Sequence, residues 1–195
     1  MEEIIIASAS PRRSELLKRV GVSFIVYPPD VDEKLDPGMK AEELVQSLSY
    51  KKAADVAGKL KGSGISGIII SADTVVVAGG KILGKPSDED EAFNMLKSLQ
   101  GRWHSVITGL TVIDSRSSRH VSGCEKTRVK FRKLSDDEIT TYIKTGEPMD
   151  KAGSYGIQEK GALLVERIEG CYFNVVGLPL ARLGLMLKEF GIDLL

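Results

Sequence analysis

The sequence predicts an α/β fold, a mixed sheet with flanking helices, on the basis of three observations. Two runs of β-branched residues, Ile4-Ile5-Ile6 and Ile68-Ile69-Ile70, are typical of strands that are buried on both faces of a sheet. Early in the chain such strands alternate with segments of helical periodicity, as in parallel βαβ units. Further along, turn signals at Gly79-Gly80 and Ser115-Arg116-Ser117-Ser118 separate neighbouring strands, as in antiparallel hairpins.

The composition indicates one globular domain over residues 1–195. Hydrophobic residues make up 42% of the chain, which is enough for a core. Lys+Arg and Asp+Glu number 27 each, so the chain has no overall basic field. This balance argues against a nucleic-acid polymer as the main partner, and any phosphate binding must come from a local cluster of cations.

The sequence also predicts a cytoplasmic protein without a membrane partner. Cys124 and Cys171 lie far apart and have no metal-ligand spacing around them, which is typical of reduced thiols in a reducing compartment. The chain starts with acidic residues, whereas a signal peptide starts with basic ones, and no apolar run reaches the length of a membrane span.

The apolar and turn patterns of the first half define its elements. They predict, in order, a strand at 4–6, a helix from Pro11, a strand at 23–26, a helix at 41–57, a strand at 68–72 that ends at Asp73-Thr74, and a hairpin of 75–77 with the segment after Gly80. Leu16, Leu17 and Val20 form the predicted apolar stripe of the first helix.

The second half predicts further hairpins and helices. A capping-box pattern at Ser87-Asp88-Glu89-Asp90 opens a helix that stops before Gly101, and Ser135 caps another. Strands are predicted at 103–113, 121–131 and 163–168, a glycine-rich loop at 147–158, and a closing helix at 174–190 whose start Gly177-Leu178-Pro179 would delay.

Hydroxyl groups and cations converge at the start of the first helix. Ser8 and Ser10 precede Pro11, and Arg12 and Arg13 follow it. A helix N-terminus adds backbone N–H groups and the positive end of the helix dipole. These groups together predict an anion site, with phosphate as the anion. The alternative is a capped helix with two solvated arginines.

Two other charged features suggest a phosphate or metal site. Lys52 shares the apolar face of the second helix with Leu48 and Val56, whereas Lys51 does not. Such a lysine either extends to solvent or meets a buried anion. The segment Asp30-Val31-Asp32-Glu33 places three carboxylates in a predicted loop. They either hold a metal ion through oxygen ligands or form a solvated loop.

Asp73 is the most informative acid, because it follows a buried strand and reactive groups collect at strand ends in α/β sheets. A carboxylate there can ligate a divalent metal or take a proton from water. The alternative is a turn-forming aspartate. Lys85 follows the predicted hairpin and could return towards Asp73 as a phosphate ligand. Gln158 could read a base edge by paired hydrogen bonds, or it is an exposed loop residue.

These cations and acids fit the hydrolysis of a nucleotide polyphosphate. The chain has no Walker A sequence and therefore does not resemble a P-loop nucleotidase. It has two histidines, His104 and His120, without a paired cysteine–histidine pattern, which argues against a zinc site.

Six segments carry a resemblance that covers essentially the whole chain. They are Ala7-Ser8-Ala9-Ser10-Pro11-Arg12-Arg13, Asp32-Glu33, Ser71-Ala72-Asp73-Thr74, Gly84-Lys85-Pro86, Asp150-Lys151-Ala152-Gly153-Ser154-Tyr155-Gly156-Ile157-Gln158 and Val176-Gly177-Leu178-Pro179-Leu180. In this order they resemble the motifs of the Maf family of nucleoside triphosphate pyrophosphatases. The resemblance implies a fold related to inosine triphosphate pyrophosphatases, with two lobes around a cleft. It also implies cleavage between the α and β phosphates with a divalent cation, Mg²⁺, Mn²⁺ or Co²⁺.

The resemblance also implies roles for individual residues. The aspartate at the position of Asp73 is the family's proposed general base, and Glu33 with Asp73 would lie near the metal. The expected triphosphate ligands are Ser8, Ser10, Arg13, Lys52 and Lys85. Arginine, threonine and glutamine at Arg12, Thr74 and Gln158 resemble the branch of the family that acts on dTTP and UTP. The residue chemistry points the same way, because a glutamine amide matches the N3–H and carbonyl edge of uracil or thymine. A homodimer is a further expectation.

A second hypothesis belongs to a different class. The chain would then be a nucleotide-sensing regulatory protein that acts on cell division and septum formation through a partner. Release of pyrophosphate that disappears when Asp73 is changed would favour the enzyme. Binding of a nucleotide without turnover would favour the sensor.

Overall fold

The computed structural model describes residues 3–33 and 38–195. The regular structure of these residues consists of seven strands, six α-helices and three short 3-10 helices at Glu147–Asp150, Ala152–Ser154 and Glu159–Leu164. The strands are β1 (Glu3–Ile6), β2 (Ile25–Val26), β3 (Gly67–Ala78), β4 (Lys81–Leu83), β5 (Trp103–Asp114), β6 (His120–Phe131) and β7 (Val165–Glu169). The helices are α1 (Pro11–Arg19), α2 (Ala41–Leu60), α3 (Glu89–Leu99), α4 (Asp136–Ile143), α5 (Tyr172–Val176) and α6 (Leu180–Lys188). None of the helices in this described part of the chain combines the length and the apolar character that crossing a membrane requires.

The strands form one sheet in the order β2-β1-β3-β5-β6-β7, and β4 pairs with β3 outside this path. β1 runs parallel to β2 and to β3. The β3–β4 and β6–β7 pairs are antiparallel. The predicted α/β fold with a mixed sheet is therefore confirmed.

The two isoleucine runs lie side by side in this sheet. Ile4 is in register with Ile68, and Ile6 with Ile70. These four residues are buried, and Ile5 and Ile69 on the opposite face lie in a buried cluster with α2, so the isoleucine side chains of both faces are shielded from solvent. Gly67 begins β3 at a close approach, since a Cβ atom there would lie 2.0 Å from the carbonyl oxygen of Glu3. A larger residue at this position would push the two strands apart.

β3 is longer than the sequence predicts, and Asp73 lies inside it. The prediction that a strand ends at Asp73-Thr74 is wrong, because one strand of 12 residues runs from Gly67 to Ala78. Pairing with β1 covers 67–70 and pairing with β4 covers 76–78. The aliphatic residues on both sides of Asp73 favour extended backbone, so the polar pair continues the strand and does not turn.

Two predicted helix boundaries shift. Val20, which the sequence places on the apolar stripe of α1, is the C-cap residue and is 41% exposed, because α1 ends one residue earlier. The cap of α3 uses the Asp88 side chain, which accepts a hydrogen bond from the Glu91 N–H, while the Glu91 carboxylate accepts from the Ser87 N–H. The predicted cap at Ser135 is confirmed as a full capping box.

The predicted closing helix over 174–190 is two helices, α5 and α6. Gly177 between them has a φ of 115°, a conformation that glycine adopts readily. Pro179 is the N-cap of α6 and has no N–H group to continue a helical ladder from α5. The break leaves the carbonyl group of Gly177 available to a side chain of the candidate site.

The described residues group into two compact units. The first takes in those of Met1–Asp73, Thr108–Glu125 and Gly177–Leu195, and the second those of Thr74–Ile107 and Lys126–Val176. A buried cluster of the first unit joins α2 to β1 and β3: Ile5, Ala7, Ala53, Val56, Leu60, Ile69 and Ile113. The second unit has its own core around Phe131, to which α3 and α4 contribute. The predicted single domain and the cleft between two lobes stay predictions.

Candidate active site

The first unit holds a buried lysine between two carboxylates. The Lys52 side chain is 6% exposed, and its Nζ lies 2.6 Å from Asp73 Oδ1 and 2.6 Å from Glu33 Oε1. The Asp73 side chain is 10% exposed, whereas that of Glu33 is 46% exposed. Lys51 points to solvent, which confirms the predicted phase of the helix. We call Lys52, Asp73 and Glu33 the charged triad.

Buried hydroxyl groups fix α2 on the sheet next to the charged triad. Ser71 Oγ donates a hydrogen bond to the Ser49 carbonyl oxygen, and Ser49 Oγ lies 2.9 Å from Thr111 Oγ1. Ser49 precedes Lys52 by about one helical turn, and Ser71 precedes Asp73 by two residues, on the same face of β3. The same contacts that hold the helix on the strand therefore place the ammonium next to the carboxylate.

Arg13 is held by the turn that leads into α1. Its Nε donates to the Gly177 carbonyl oxygen at 2.9 Å, and its Nη1 donates to Ser8 Oγ at 3.2 Å. The buried Ser8 hydroxyl also accepts from the Ser10 N–H at 3.2 Å. Burial lowers the pKa of Arg13, and the negative charge of Asp73 opposes this effect. The guanidinium therefore sits in the electrostatic field of the charged triad.

The N-terminus of α1 has the groups of an anion site. Ser10 is the N-cap residue, and its side chain makes no capping hydrogen bond. Pro11 occupies the first turn, and the first turn contains no acidic residue. Arg12 is half-buried, and its positive charge acts on Arg13. Two cations at the positive end of a helix dipole repel one another, and a bound anion would relieve that repulsion.

The second unit carries the other three predicted site residues, Thr74, Lys85 and Gln158. Thr74 follows Asp73 directly in β3 and is half-buried, while Lys85 is exposed beyond the end of β4. The Gly153 N–H donates to the Gly84 carbonyl oxygen at 2.9 Å, which ties the segment before Lys85 to the glycine-rich loop. The return of Lys85 towards Asp73 stays a prediction.

The glycine-rich loop that carries Gln158 has a defined conformation. Ser154 and Glu159 have φ values of 61° and 52°, which non-glycine residues adopt only when their surroundings hold them there. Tyr155 is buried, and its Oη lies 2.8 Å from His104 Nε2. The Gln158 side chain is half-buried. The loop is therefore packed against the second unit and presents Gln158 from a fixed backbone.

His104 is a buried residue of the second unit, whereas both cysteines are partly exposed. Burial lowers the pKa of His104 to about 4, so its imidazole is neutral near pH 7. Cys124 and Cys171 form no disulfide. Across residues 3–33 and 38–195, no group of three His, Cys, Asp or Glu side chains is placed to hold a metal ion.

Glu33 and Asp73 are the donors that fit a divalent cation. Both carboxylates contact the same ammonium, Lys52 Nζ, so their oxygen atoms converge on one positive charge. Mg²⁺ and Mn²⁺ prefer oxygen ligands of this kind and complete their coordination with phosphate oxygens and water. The residues present therefore fit a cation that binds together with the phosphates of a substrate.

The residues that position the site were missed by sequence reasoning. Ser49 and Ser71 are polar residues inside an apolar helix face and an apolar strand, which is the signal that could have identified them. Gly109 lies inside β5, where a Cβ atom would be 2.2 Å from the Val45 carbonyl oxygen of α2. An isolated glycine within a strand is a known sign of such a close approach.

Comparison with known proteins identifies the family of this chain. The family model described as "Maf-like protein" matches residues 3–190. A protein of Acetivibrio thermocellus named "dTTP/UTP pyrophosphatase" is 55% identical, with 100% of this chain and 98% of the relative covered. Proteins of the same name from Alkaliphilus oremlandii and Caldicellulosiruptor bescii are 53% and 50% identical over 100% of this chain, and 100% and 98% of those relatives are covered.

Two solved structures have a lower similarity. The Ham1 protein of Staphylococcus aureus is 14% identical with a TM-score of 0.44, over 67% of this chain and 72% of that one. A nucleoside-triphosphatase (dITP/XTP pyrophosphatase) of Mycobacterium abscessus is 16% identical with a TM-score of 0.36, over 66% and 72%. The family model and the full-length relatives are sufficient without them: this chain belongs to the Maf family.

Proposed function

We propose that this protein hydrolyses nucleoside triphosphates between the α and β phosphates, with dTTP and UTP as the preferred substrates. The products are a nucleoside monophosphate and pyrophosphate. The observation that carries the proposal is the charged triad, in a chain that aligns along its whole length with relatives named dTTP/UTP pyrophosphatases. Those names support a hydrolase, and no observation favours the nucleotide-sensing regulator of septum formation.

Asp73 is the proposed general base. It takes a proton from a water molecule whose oxygen forms a bond to the α phosphorus. The bond from that phosphorus to the oxygen shared with the β phosphate breaks, and its electron pair leaves with pyrophosphate. The 2.6 Å contact with Lys52 orients the carboxylate for this step. A divalent cation held by Glu33, Asp73 and phosphate oxygens would neutralise charge on the triphosphate.

The triphosphate ligands in this proposal come from three parts of the chain. The turn before α1 supplies Ser8, Ser10 and Arg13, α2 supplies Lys52, and the segment after β4 supplies Lys85. The 3.2 Å bond between Arg13 and Ser8 supports the assignment, because it groups a cation and a hydroxyl at a helix N-terminus. Hydrogen bonds to developing charge at these positions would stabilise the transition state.

Base selection is assigned to Arg12, Thr74 and Gln158. The Gln158 amide offers one donor and one acceptor, which match the carbonyl and N3–H of uracil or thymine. A base with the wrong edge would leave buried polar groups without partners, so it should be rejected strongly. The 5 position of the pyrimidine makes no required hydrogen bond in this scheme. A methyl group there is therefore tolerated, which is necessary for one site to accept both dTTP and UTP.

The cellular setting is part of the proposal. We place the activity in the cytoplasm, where it would remove unwanted nucleotides from the pools. Nucleoside triphosphates are the proposed partners, with Mg²⁺, Mn²⁺ or Co²⁺ as the cation. The homodimer stays a prediction, which light scattering of the purified protein tests.

A substrate panel tests the proposal. Pyrophosphate release would be measured for UTP, dTTP, CTP, GTP, 7-methyl-GTP and ATP, with each of the three cations. We expect kcat/KM for UTP and dTTP to exceed the values for the purines by about 10²-fold or more. Equal kcat/KM values for purines and pyrimidines would contradict the proposed base preference but not the proposed hydrolase activity. The absence of pyrophosphate with every triphosphate would overturn the function.

A further inference from the structure

The segment 156–161, whose second half begins the 3-10 helix Glu159–Leu164, is held at both ends by two side chains that lie outside it. Tyr142 Oη accepts a hydrogen bond from the Gly156 N–H at 3.2 Å. Glu147 Oε1 accepts one from the Gly161 N–H at 3.2 Å. Tyr142 Oη in turn donates to Glu147 Oε1 at 2.9 Å, which joins the two anchors into one. The six residues from Gly156 to Gly161 are therefore held at both ends by one hydrogen-bonded pair, Tyr142 and Glu147, which we call the clasp.

The clasp holds the backbone of the segment in an unusual shape. A Cβ atom on Gly161 would lie 1.9 Å from the carbonyl oxygen at the other end of the segment and 2.7 Å from Tyr142 Oη. The Lys160 N–H donates to the second carboxylate oxygen of Glu147 at 3.2 Å, so both oxygens are engaged. Glu159 has a φ of 52°, which costs free energy for a residue with a side chain. The hydrogen bonds of the clasp offset that cost.

The clasp is anchored in the core of the second unit. Tyr142 belongs to α4 and is 5% exposed within the cluster around Phe131. Burial raises the pKa of the Tyr142 hydroxyl, and the charge of Glu147 raises it further, so the hydroxyl keeps the proton that it donates. The shape of the segment is therefore tied to a rigid element, which is what precise placement of a binding group requires.

We propose that Tyr142 and Glu147 are positioning residues for base selection, because they fix the loop segment whose third residue is Gln158. This inference rests on the proposed function, in which the Gln158 amide reads the pyrimidine edge. A paired amide–base contact requires placement within about 0.5 Å. Loosening the clasp would therefore reduce the discrimination between bases while the groups that carry out hydrolysis stay in place.

The test is the Tyr142→Phe variant, which removes the hydroxyl oxygen and keeps the aromatic side chain. Initial rates with UTP and CTP would be compared, because these bases have the same size and differ at the edge that Gln158 would read. We expect the ratio of kcat/KM for UTP over CTP to fall about three- to tenfold, as for the loss of one or two neutral hydrogen bonds. The change should lie in KM for UTP, with kcat nearly constant.

A merely structural role would have a different effect. Partial unfolding lowers the amount of active enzyme, which lowers kcat for both substrates equally and leaves the ratio unchanged. Tyr172→Phe is the matched control, since this tyrosine of the same unit is 39% exposed and belongs to neither the segment nor the clasp. Its ratio should equal that of the wild type. Glu147→Gln, which keeps the side-chain shape, is the second variant and should lower the ratio in the same direction.

A double-mutant cycle with Gln158→Ala shows whether Tyr142 acts through Gln158. In the Gln158→Ala background, Tyr142→Phe should leave the UTP-to-CTP ratio unchanged, because the side chain being positioned is gone. The same fall in both backgrounds, or no fall in the single variants of a wild type that prefers UTP, overturns this inference alone. A wild type that releases no pyrophosphate from UTP overturns the proposed function instead.

Discussion

Replacing Lys52 with methionine tests how the charged triad is held together. The variant keeps an unbranched apolar side chain and loses the ammonium that lies 2.6 Å from Asp73 and from Glu33. Removal of one partner from a buried ion pair costs about 3–5 kcal/mol, because the other charge stays buried without compensation. Glu33 is 46% exposed and can be rehydrated, and Arg13 still acts on Asp73, so we expect the lower end, about 3 kcal/mol. For a chain of this length the melting temperature should fall by about 6–12 °C.

Urea and thermal unfolding of four proteins separate charge from packing. They are the wild type, Lys52→Met, the exposed control Lys51→Met, and Lys52→Met combined with Asp73→Asn. The control should stay within about 0.5 kcal/mol of the wild type. The double variant should recover part of the loss, because the Asp73 charge that Lys52 compensated is gone, while the buried Arg13 also loses the stabilising charge of Asp73. A double variant as unstable as Lys52→Met would refute the electrostatic explanation, and an equal loss in Lys51→Met would refute the helix phase.

Three further predictions concern single residues. Asp73→Asn keeps the shape of the side chain but cannot take a proton, so kcat should fall by about 10²–10⁴ with an unchanged circular dichroism spectrum; near-normal turnover would remove Asp73 from the mechanism. His104 has a pKa of about 4 in the folded protein against an ordinary value of 6.5, so the unfolded chain binds more protons between these values. The free energy of unfolding should therefore fall by about 2 kcal/mol from pH 7.5 to pH 5, and His104→Phe should lose this part of the pH dependence. The measurement is urea unfolding of both proteins at several pH values, and an equal change of the unfolding free energy with pH in the two proteins would contradict the prediction. Gln158→Glu keeps an acceptor and loses the amide donor, so kcat/KM for UTP should fall about tenfold or more, and an unchanged value would exclude Gln158 from base recognition.

The parts of the fold that were predictable have strict local patterns. The isoleucine runs of β1 and β3 indicate buried strands, because β-branched residues favour extended backbone and apolar residues at consecutive positions need burial on both faces. The phase of α2 separates Lys52 from Lys51 because a shift of one residue rotates a side chain by about 100°. The capping box at Ser135 is likewise specified by residues three positions apart. Each of these signals is complete within a few residues of sequence.

The errors arose where distant contacts decide the outcome. Aspartate is a common turn residue, yet Asp73 lies within β3. The residues before it pair with β1 and the residues after it pair with β4, which keeps the strand extended. Val20 continues the apolar stripe of α1, but the helix ends before it. The clasp of Tyr142 and Glu147 joins groups up to 14 residues apart through a hydroxyl, a carboxylate and three backbone N–H groups. Backbone donors carry no mark in the sequence, so only the structure shows which of them a side chain will accept.

Hydrolysis of UTP in water enriched in ¹⁸O tests the central claim most directly. In the proposed reaction, water attacks the α phosphorus with Asp73 as the base. Mass spectrometry of the products should therefore find one ¹⁸O atom in UMP and none in pyrophosphate, and Asp73→Asn should slow this labelling in proportion to its loss of turnover. Label in pyrophosphate, or release of inorganic phosphate with UDP, would show attack at another phosphorus and contradict the account.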